Sequence, residues 1–368
     1  MNNTKKFAMA ALALLLLLAP LRAPADGAED GDGQVFTVFT DTGDQLFRHA
    51  GAMDAGDQYI SADNQQYVIQ SVDAAARTAV AVWQSEVKLP GVEWLETTAA
   101  VVVSAQEGGD KRLIAMYATH SDESYEPTDG TESASDGSGG IYDVCEALKT
   151  ALEDKGVTVV LDETSHVPHD AGAYRRSRET AIELLKQAPD ALIDVHRDGI
   201  PDPEEYEVKI DGEAASRVRL LVGRSNQNSE ANKQFALELK AVADSTYPEL
   251  IKDIFIGKGS YNQDLMSNAI LLEMGTHTVD KERVIASAKL MSNVITDTLY
   301  GDVNGAAGSG QQKANQGAGS GIIWLIIAVV IAIAAFALLQ TGRGREAWEK
   351  VKRGASEMTA GVIGKKKE

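Results

Sequence analysis

Three short apolar stretches of the sequence are closely followed by residues that can bind a metal or transfer a proton. These residues, each with the run that precedes it, are His120 after 113–117, His196 after 191–195 and Glu273 after 269–272. Short apolar runs of this kind predict buried strands. Parallel strands bring the residues at their carboxyl ends to one edge of a sheet. The chain has only six histidines, so the presence of two at the ends of predicted parallel strands is informative. We therefore predict that His120 and His196 form one site together with Glu273.

The residue types at these strand ends are those of a catalytic zinc site. Two imidazoles and one carboxylate bind Zn²⁺ and leave a fourth position open for water, and His120 and His196 would supply the imidazoles. Glu123, three residues after His120, is the nearest carboxylate able to complete a His-x-x-Glu pair of ligands. Asp122 and Glu146 are alternative third ligands.

Glu273 is assigned the role of general base in this interpretation. A zinc-bound water has a pKa of about 7, and a second carboxylate can then take its proton. Glu273 lies in an apolar run, where an ionised carboxylate needs a partner. His166 and His169 are further candidates for ligands. Arg197 and Asp198, which follow His196 directly, are predicted to contact the substrate or to pair with each other.

Alternating strand and helix patterns supply the elements that must position these residues. Before them, residues 26–105 are β-rich and are read as a small N-terminal module, with strands at 34–40, 66–72 and 78–83. From residue 106 to 300 the predicted strands lie at 113–117, 157–161, 191–195, 218–222 and 269–274. The predicted helices lie at 142–155, 174–187, 229–244 and 280–299. This alternation predicts an α/β fold, with a mainly parallel sheet and helices on both faces.

The charge and cysteine content exclude several classes of protein. The 368 residues carry a net charge of −19, which argues against a nucleic-acid-binding protein because phosphate recognition needs a basic surface. Cys145 is the only cysteine. An intrachain disulfide and a cysteine-based zinc ribbon are therefore both excluded, and the thiol is expected to pack as a small apolar group.

The two ends of the chain predict export and a membrane anchor. Residues 1–25 have the charged start, apolar centre and small-residue cleavage site of a signal peptide. Residues 322–340 form an apolar segment long enough to cross a bilayer, after a tether rich in Gly, Ala, Ser and Gln at 301–321. The tail at 341–368 has a net charge of +4, whereas residues 26–340 carry −26. The positive-inside rule therefore predicts a single-pass protein of the cell membrane, with a cytoplasmic tail and the acidic body on the outer, cell-wall side.

Five segments together resemble the stage II sporulation protein P family. They are Tyr-Ala-Thr-His-Ser-Asp-Glu-Ser-Tyr at 117–125, Ser-His-Val-Pro-His-Asp at 165–170, Tyr-Arg-Arg-Ser-Arg-Glu at 174–179, Ile-Asp-Val-His-Arg-Asp-Gly at 193–199 and Leu-Glu-Met-Gly at 272–275. In this resemblance His120 and His196 match the histidines of the family and Glu273 matches its catalytic glutamate. At Ala118 the chain lacks a further histidine that the family's motif usually carries.

The resemblance implies a zinc-dependent peptidoglycan hydrolase of the N-acetylmuramoyl-L-alanine amidase type. Such an enzyme removes stem peptides from the glycan and can also cut peptide cross-links. Its role would be in sporulation, during engulfment of the forespore, with a lytic transglycosylase (stage II sporulation protein D) as partner. The residues leave two other functions open: a zinc carboxypeptidase or endopeptidase acting on wall peptides, and a catalytically inactive wall-binding scaffold.

Overall fold

A computed structural model describes residues 35–92 and 112–301 of the chain. The predicted signal peptide at 1–25, membrane segment at 322–340 and basic tail at 341–368 lie outside these ranges. The predicted tether lies outside them too, except for residue 301. Within the described ranges, no helix combines the length and apolar character needed to cross a bilayer.

Thirteen strands and four longer helices form the described part of the chain. The strands are β1 (Val35–Thr40), β2 (Gln45–Ala50), β3 (Gln58–Ile60), β4 (Gln65–Asp73), β5 (Thr78–Glu86), β6 (Leu113–Tyr117), β7 (Thr158–Leu161), β8 (Ala191–Asp198), β9 (Glu207–Ile210), β10 (Glu213–Ser216), β11 (Val218–Gly223), β12 (Ile251–Gly257) and β13 (Ala269–Thr276). The helices are α1 (Ile141–Glu153), α2 (Ala173–Leu185), α3 (Ser229–Thr246) and α4 (Lys281–Tyr300). Single helical turns at Glu126–Asp129, Pro203–Glu205 and Gln263–Leu265 lie between them.

The strands form one large mixed sheet and one small hairpin. The large sheet has eleven strands in the order β2-β1-β5-β4-β3-β12-β11-β13-β8-β6-β7, and β9 and β10 form the hairpin. Five of the ten neighbouring pairs in the large sheet are antiparallel, and five are parallel. The expectation of an α/β fold is confirmed, but the expectation of a mainly parallel sheet is wrong.

The direction of β11 accounts for one of the five antiparallel pairs, and the other four involve strands of the segment β1 to β5. A parallel return to the same sheet needs a crossover connection, usually a helix. Between β8 and β11 the chain has no such helix and forms the β9–β10 hairpin instead. β11 consequently pairs antiparallel with β13. β6, β8 and β13, which carry the candidate site, are neighbouring parallel strands, as the sequence predicts.

The β-rich segment at the start of the described chain is part of the same sheet. β1 to β5 fill residues 35–86, and β3 pairs antiparallel with β12 at residues 254–256. The sequence predicts strands in this segment. It does not predict β2 or β3 there, nor β9, β10 and β12 later in the chain.

Helices pack on both faces of the sheet, as predicted. Alternate residues of a strand point to opposite faces, and in β6 Ile114 and Met116 belong to the core beneath α1, α3 and α4. Ala115 and Tyr117 belong to a separate core beneath α2. Cys145 of α1 is buried in the first of these cores and forms no disulfide. It therefore packs as a small apolar residue.

Candidate metal centre

The three parallel strands bring His120, His196 and Glu273 to one edge of the sheet. His120 follows β6, whereas His196 and Glu273 lie within β8 and β13 and are paired in register. The rings of His120 and His196 are nearly perpendicular, with 5.1 Å between their centroids. All three residues are buried. The predicted convergence of these strand ends is therefore present in the fold.

Gly275 shapes the end of β13 immediately after Glu273. Its φ of +76° lies in the left-handed region that favours glycine. The pairing of β13 with β8 shifts register between Glu273 and Thr276. The hydroxyl of Thr276 then donates to the carbonyl oxygen of Asp198 at 2.9 Å. This irregularity ends the regular ladder beside Glu273, at the edge where the candidate residues meet.

Glu123 lies beside His196, on a buried loop that follows β6. Its Oε2 accepts a hydrogen bond from the backbone N–H of Arg197 at 2.9 Å. Its Oε1 lies 3.7 Å from Nδ1 of His196. Two atoms that bind one Zn²⁺ through bonds of about 2.0–2.2 Å lie within about 4.4 Å of each other. The distance between Glu123 and His196 is therefore compatible with a shared ion.

A second group of donors shares His120. The ring of His169 stacks on the ring of His120, with 3.7 Å between centroids. Nδ1 of His169 lies 3.3 Å from Oδ1 of Asp122. One donor atom from each of His120, Asp122 and His169 lies within 4.8 Å of the other two. Two imidazoles and a carboxylate at these separations also fit the donor set of a zinc site.

Two other candidates from the sequence have different surroundings. Nδ1 of His166 is 2.9 Å from the carbonyl oxygen of Ala118, and its Nε2 is 2.9 Å from the hydroxyl of Thr180. Since both ring nitrogens have partners, His166 supports the backbone next to the site. Glu146 is exposed on α1 and accepts a hydrogen bond from Lys149 at 2.9 Å, so the structure does not bring it to the cluster.

The side chains of Arg197 and Asp198 have partners within the protein. The guanidinium of Arg197 donates to the carbonyl oxygens of Ser124 and Glu132, at 3.3 and 2.8 Å. These bonds hold the loop that carries Glu123. The Asp198 carboxylate accepts from the hydroxyl of Tyr206 at 2.6 Å and from Arg219 at 2.9 Å. The Arg197 and Asp198 side chains therefore stabilise the protein around the site. Their contact with substrate remains a prediction.

Burial and neighbouring charges shift the pKa values of the central residues. Burial lowers the pKa of His120 well below its usual value, and His169 and His196 lower it further. Burial also opposes a charge on His196, but the Asp194 and Glu123 carboxylates raise the pKa of that imidazole overall. Neutral His120 can therefore offer a nitrogen lone pair to a cation. Protonated His196 must release one proton before it can bind a cation.

Glu273 has the environment of a residue that both accepts and donates a proton. Burial, followed by the charge of Asp198, raises the pKa of Glu273 to about 8. Its Oε2 is buried and has no hydrogen-bond partner among the residues that the structure describes. A carboxyl group with a pKa near the working pH is suited to general acid–base chemistry. A cation bound nearby would lower this pKa.

Tyr174 and Asp194 are site residues to which the sequence analysis gave no role. The Tyr174 ring at the start of α2 packs edge-on against His120, with 5.7 Å between centroids. Asp194 lies two residues before His196 in β8, so both side chains are on one face of the strand. A carboxylate at that spacing in an otherwise apolar strand was a signal that could have identified Asp194.

A comparison with protein families gives one match that covers most of the described chain. The profile of the family described as stage II sporulation protein P matches residues 51–296. A curated protein of that name from Bacillus subtilis (strain 168) is 29% identical over 227 residues. The matched region covers 56% of this chain and 56% of the relative, so this chain spans little more than half the length of that protein.

Solved structures with some likeness to the chain include two amidases. The N-acetylmuramoyl-L-alanine amidase from Clostridium difficile 630 has 15% identity and a TM-score of 0.34, over 54% of this chain and 100% of that chain. The N-acetylmuramyl-L-alanine amidase Ami1 from Mycobacterium smegmatis has 15% identity and a TM-score of 0.35, over 51% of this chain and 96% of that chain.

Proposed function

This chain belongs to the stage II sporulation protein P family, and on that premise we propose that it is a peptidoglycan hydrolase with a role in sporulation. The bond cleaved is the amide between N-acetylmuramic acid and L-alanine of the stem peptide. The observation that supports this proposal is that His120 and Glu123 each lie against His196, at the sheet edge where Glu273 lies in register with His196. A buried cluster of imidazoles and carboxylates beside a carboxyl group of raised pKa can activate water for hydrolysis.

His120, Glu123 and His196 would hold a zinc ion in this proposal. When bound, Zn²⁺ polarises the scissile carbonyl and lowers the pKa of a bound water. The backbone N–H of Arg197 fixes Oε2 of Glu123, and the Glu123 carboxylate faces the imidazole of His196. These contacts hold the ligands in place before substrate arrives.

Glu273 would move the proton in the reaction. In its ionised form the carboxylate accepts a proton from the attacking water, and it then delivers that proton to the nitrogen of the leaving L-alanine. The buried Oε2 is the atom to which we assign this transfer, because within residues 35–92 and 112–301 no group donates a hydrogen bond to it. A positioned general acid–base group typically raises the rate by about 10²–10⁴-fold.

The proposal includes a location, based on the charge and apolar segments of the two chain ends, and a partner, which the family resemblance implies. We place the catalytic part on the outer side of the cell membrane, where peptidoglycan lies, with residues 322–340 as the anchor. A lytic transglycosylase of the stage II sporulation protein D type is the proposed partner, since it cuts glycan strands from which this chain would remove the peptides.

Digestion of purified peptidoglycan by the full-length chain tests the proposed activity. Mass spectrometry of the products, with and without a chelator, identifies the bond that is cut. We expect free stem peptides that begin with L-alanine, and we expect the chelator to stop their release. Shortened peptides still joined to glycan would instead show a carboxypeptidase or endopeptidase. No cleavage and no bound metal after zinc reconstitution would indicate a wall-binding scaffold.

A further inference from the structure

Asp194 connects the two strand ends that carry the candidate histidines. Its carboxylate is buried, with 3% of the residue exposed. Oδ1 accepts a hydrogen bond from the backbone N–H of Thr119 at 2.8 Å, and Oδ2 accepts from the Thr119 hydroxyl at 2.6 Å. Thr119 directly precedes His120. One carboxylate on β8 therefore fixes the backbone from which the His120 side chain extends.

The same carboxylate lies against the imidazole of His196. Nε2 of His196 is 3.0 Å from Oδ1 of Asp194, and both residues are buried. An oxygen of an ionised carboxylate offers only lone pairs, so its proximity favours a proton on Nε2. In the neutral ring the lone pair then belongs to Nδ1. Nδ1 is the nitrogen that lies 3.7 Å from Oε1 of Glu123.

We propose that Asp194 is a positioning residue whose negative charge favours the form of His196 protonated on Nε2 and so presents Nδ1 to the metal. The inference rests on the proposed function, because it assumes that His196 binds the metal. A carboxylate that contacts the second nitrogen of a metal-binding histidine fixes the ring and makes it a better ligand. Loss of such a partner typically weakens metal binding by about 10–100-fold.

Zinc affinity of the purified full-length chain, measured by competition with a chromophoric chelator, tests this role. In Asp194→Asn the amide keeps the shape of the side chain, and its nitrogen can donate to the Thr119 hydroxyl in place of Oδ2. Only the charge is lost, and we expect affinity to fall by about 10-fold. Asp194→Ala removes both contacts, and we expect a fall of about 100-fold.

Asp57→Asn is the matched control for loss of a buried carboxylate. Asp57 is 1% exposed and accepts a hydrogen bond from Arg224 at 2.8 Å, within the β-rich part of the chain. We expect this variant to lose stability while its zinc affinity stays that of the unmodified chain. The visible absorption of bound Co²⁺ gives a second measurement, because Asp194→Asn should change the spectrum and Asp57→Asn should not.

The outcomes separate this inference from the proposed function. If the unmodified chain binds no zinc, both are overturned. If it binds zinc and Asp194→Asn binds it equally tightly with the same Co²⁺ spectrum, the role of Asp194 is overturned and the zinc site stands. Should Asp194→Ala fail to fold, the isosteric Asn variant decides the question alone.

Discussion

Glu273 on β13 lies directly opposite His196 on the neighbouring parallel strand β8. In-register residues of parallel neighbours share one face of a sheet, so the carboxyl group and the imidazole face the same space. Arg219 lies opposite Glu273 on its other side, in β11. In the proposed function Glu273 transfers a proton beside the metal site and does not bind the metal, and the first prediction tests this role.

Glu273→Gln is expected to abolish hydrolysis and to leave metal binding intact. Glutamine keeps the shape of the side chain but cannot accept the proton, so kcat should fall by about 10²–10⁴-fold. Release of stem peptides and zinc content should be measured on the same preparation. Glu282→Gln, at an exposed position in α4, is the control and should keep full activity. Full activity in Glu273→Gln would remove this residue from the mechanism.

The sequence was sufficient to predict the strands that carry this pair because the signal is local. An apolar run of five to eight residues that ends in a histidine or a glutamate is visible without knowledge of the fold. The direction of β11 depends on its non-local pairing with β13, and no residue type within 218–223 encodes it. β12 was missed, although its segment Ile-Lys-Asp-Ile-Phe-Ile-Gly is rich in β-branched and aromatic residues.

The arrangement of the donors was less predictable than the strands. His169 reaches His120 through a loop whose path is set by tertiary contacts, among them the hydrogen bond from Arg176 to the carbonyl oxygen of His166 at 2.6 Å. Glu123 is buried although its loop is polar, because Arg197 donates to it and to that loop. The two hydrogen bonds from Arg197 join residues more than 70 positions apart, and sequence spacing does not reveal them.

Substitution of His196 and of His169 distinguishes the two possible ligand sets around His120. We expect His196→Ala to lose stoichiometric zinc, because His196 and Glu123 are buried and fixed by their neighbours. We expect His169→Ala to keep it, since the side chain of His169 is 35% exposed and lies on a loop. Zinc content after reconstitution and desalting is the measurement. The opposite result would assign the metal to His120, Asp122 and His169.

Gly139 is predicted to be essential for the loop that carries Asp122 and Glu123. Its N–H donates to the carbonyl oxygen of Ser121 at 2.9 Å. A Cβ at this position would lie 2.2 Å from the carbonyl oxygen of Glu123 and 2.5 Å from the carbonyl carbon of Asp122. Gly139→Ala must therefore displace that backbone, and a misplacement of about 1 Å can cost about 100-fold in rate.

Zinc affinity and kcat of Gly139→Ala measure the effect of this displacement. The neighbouring substitution Ser138→Ala is the matched control, because Ser138 is exposed and its hydroxyl donates to Asp136 in its own turn. We expect the control to keep both zinc affinity and activity. Normal kcat and affinity in Gly139→Ala would show that the loop tolerates the shift and that its position does not define the site.

His49 is predicted to make the fold less stable as the pH falls from 6.5 to 4. Its ring stacks on Phe255, with 4.0 Å between centroids, and Nε2 donates to the carbonyl oxygen of Ala52 at 3.2 Å. Burial, followed by the charge of Arg219, lowers the pKa of His49 from 6.5 to about 4. The nearby carboxylates of Asp198 and Asp253 oppose this shift without cancelling it.

The sign of the effect follows from which state binds the proton. Between pH 6.5 and pH 4 the unfolded chain protonates His49 and the folded chain does not, so the free energy of unfolding falls as the pH falls. Above pH 6.5 neither state is protonated and the full stability is present. A difference of about 2.5 pKa units corresponds to about 3 kcal/mol at most.

His49→Gln should remove this part of the pH dependence. Glutamine keeps a donor for the carbonyl oxygen of Ala52 but does not titrate, so its free energy of unfolding should fall less steeply between pH 6.5 and pH 4. Urea denaturation at a series of pH values, followed by tryptophan fluorescence, measures the slope. Gln45→Asn, at an exposed position on the same strand, should retain the slope of the unmodified chain. Equal slopes for His49→Gln and the unmodified chain would show that this imidazole is protonated as readily in the folded protein as in the unfolded one.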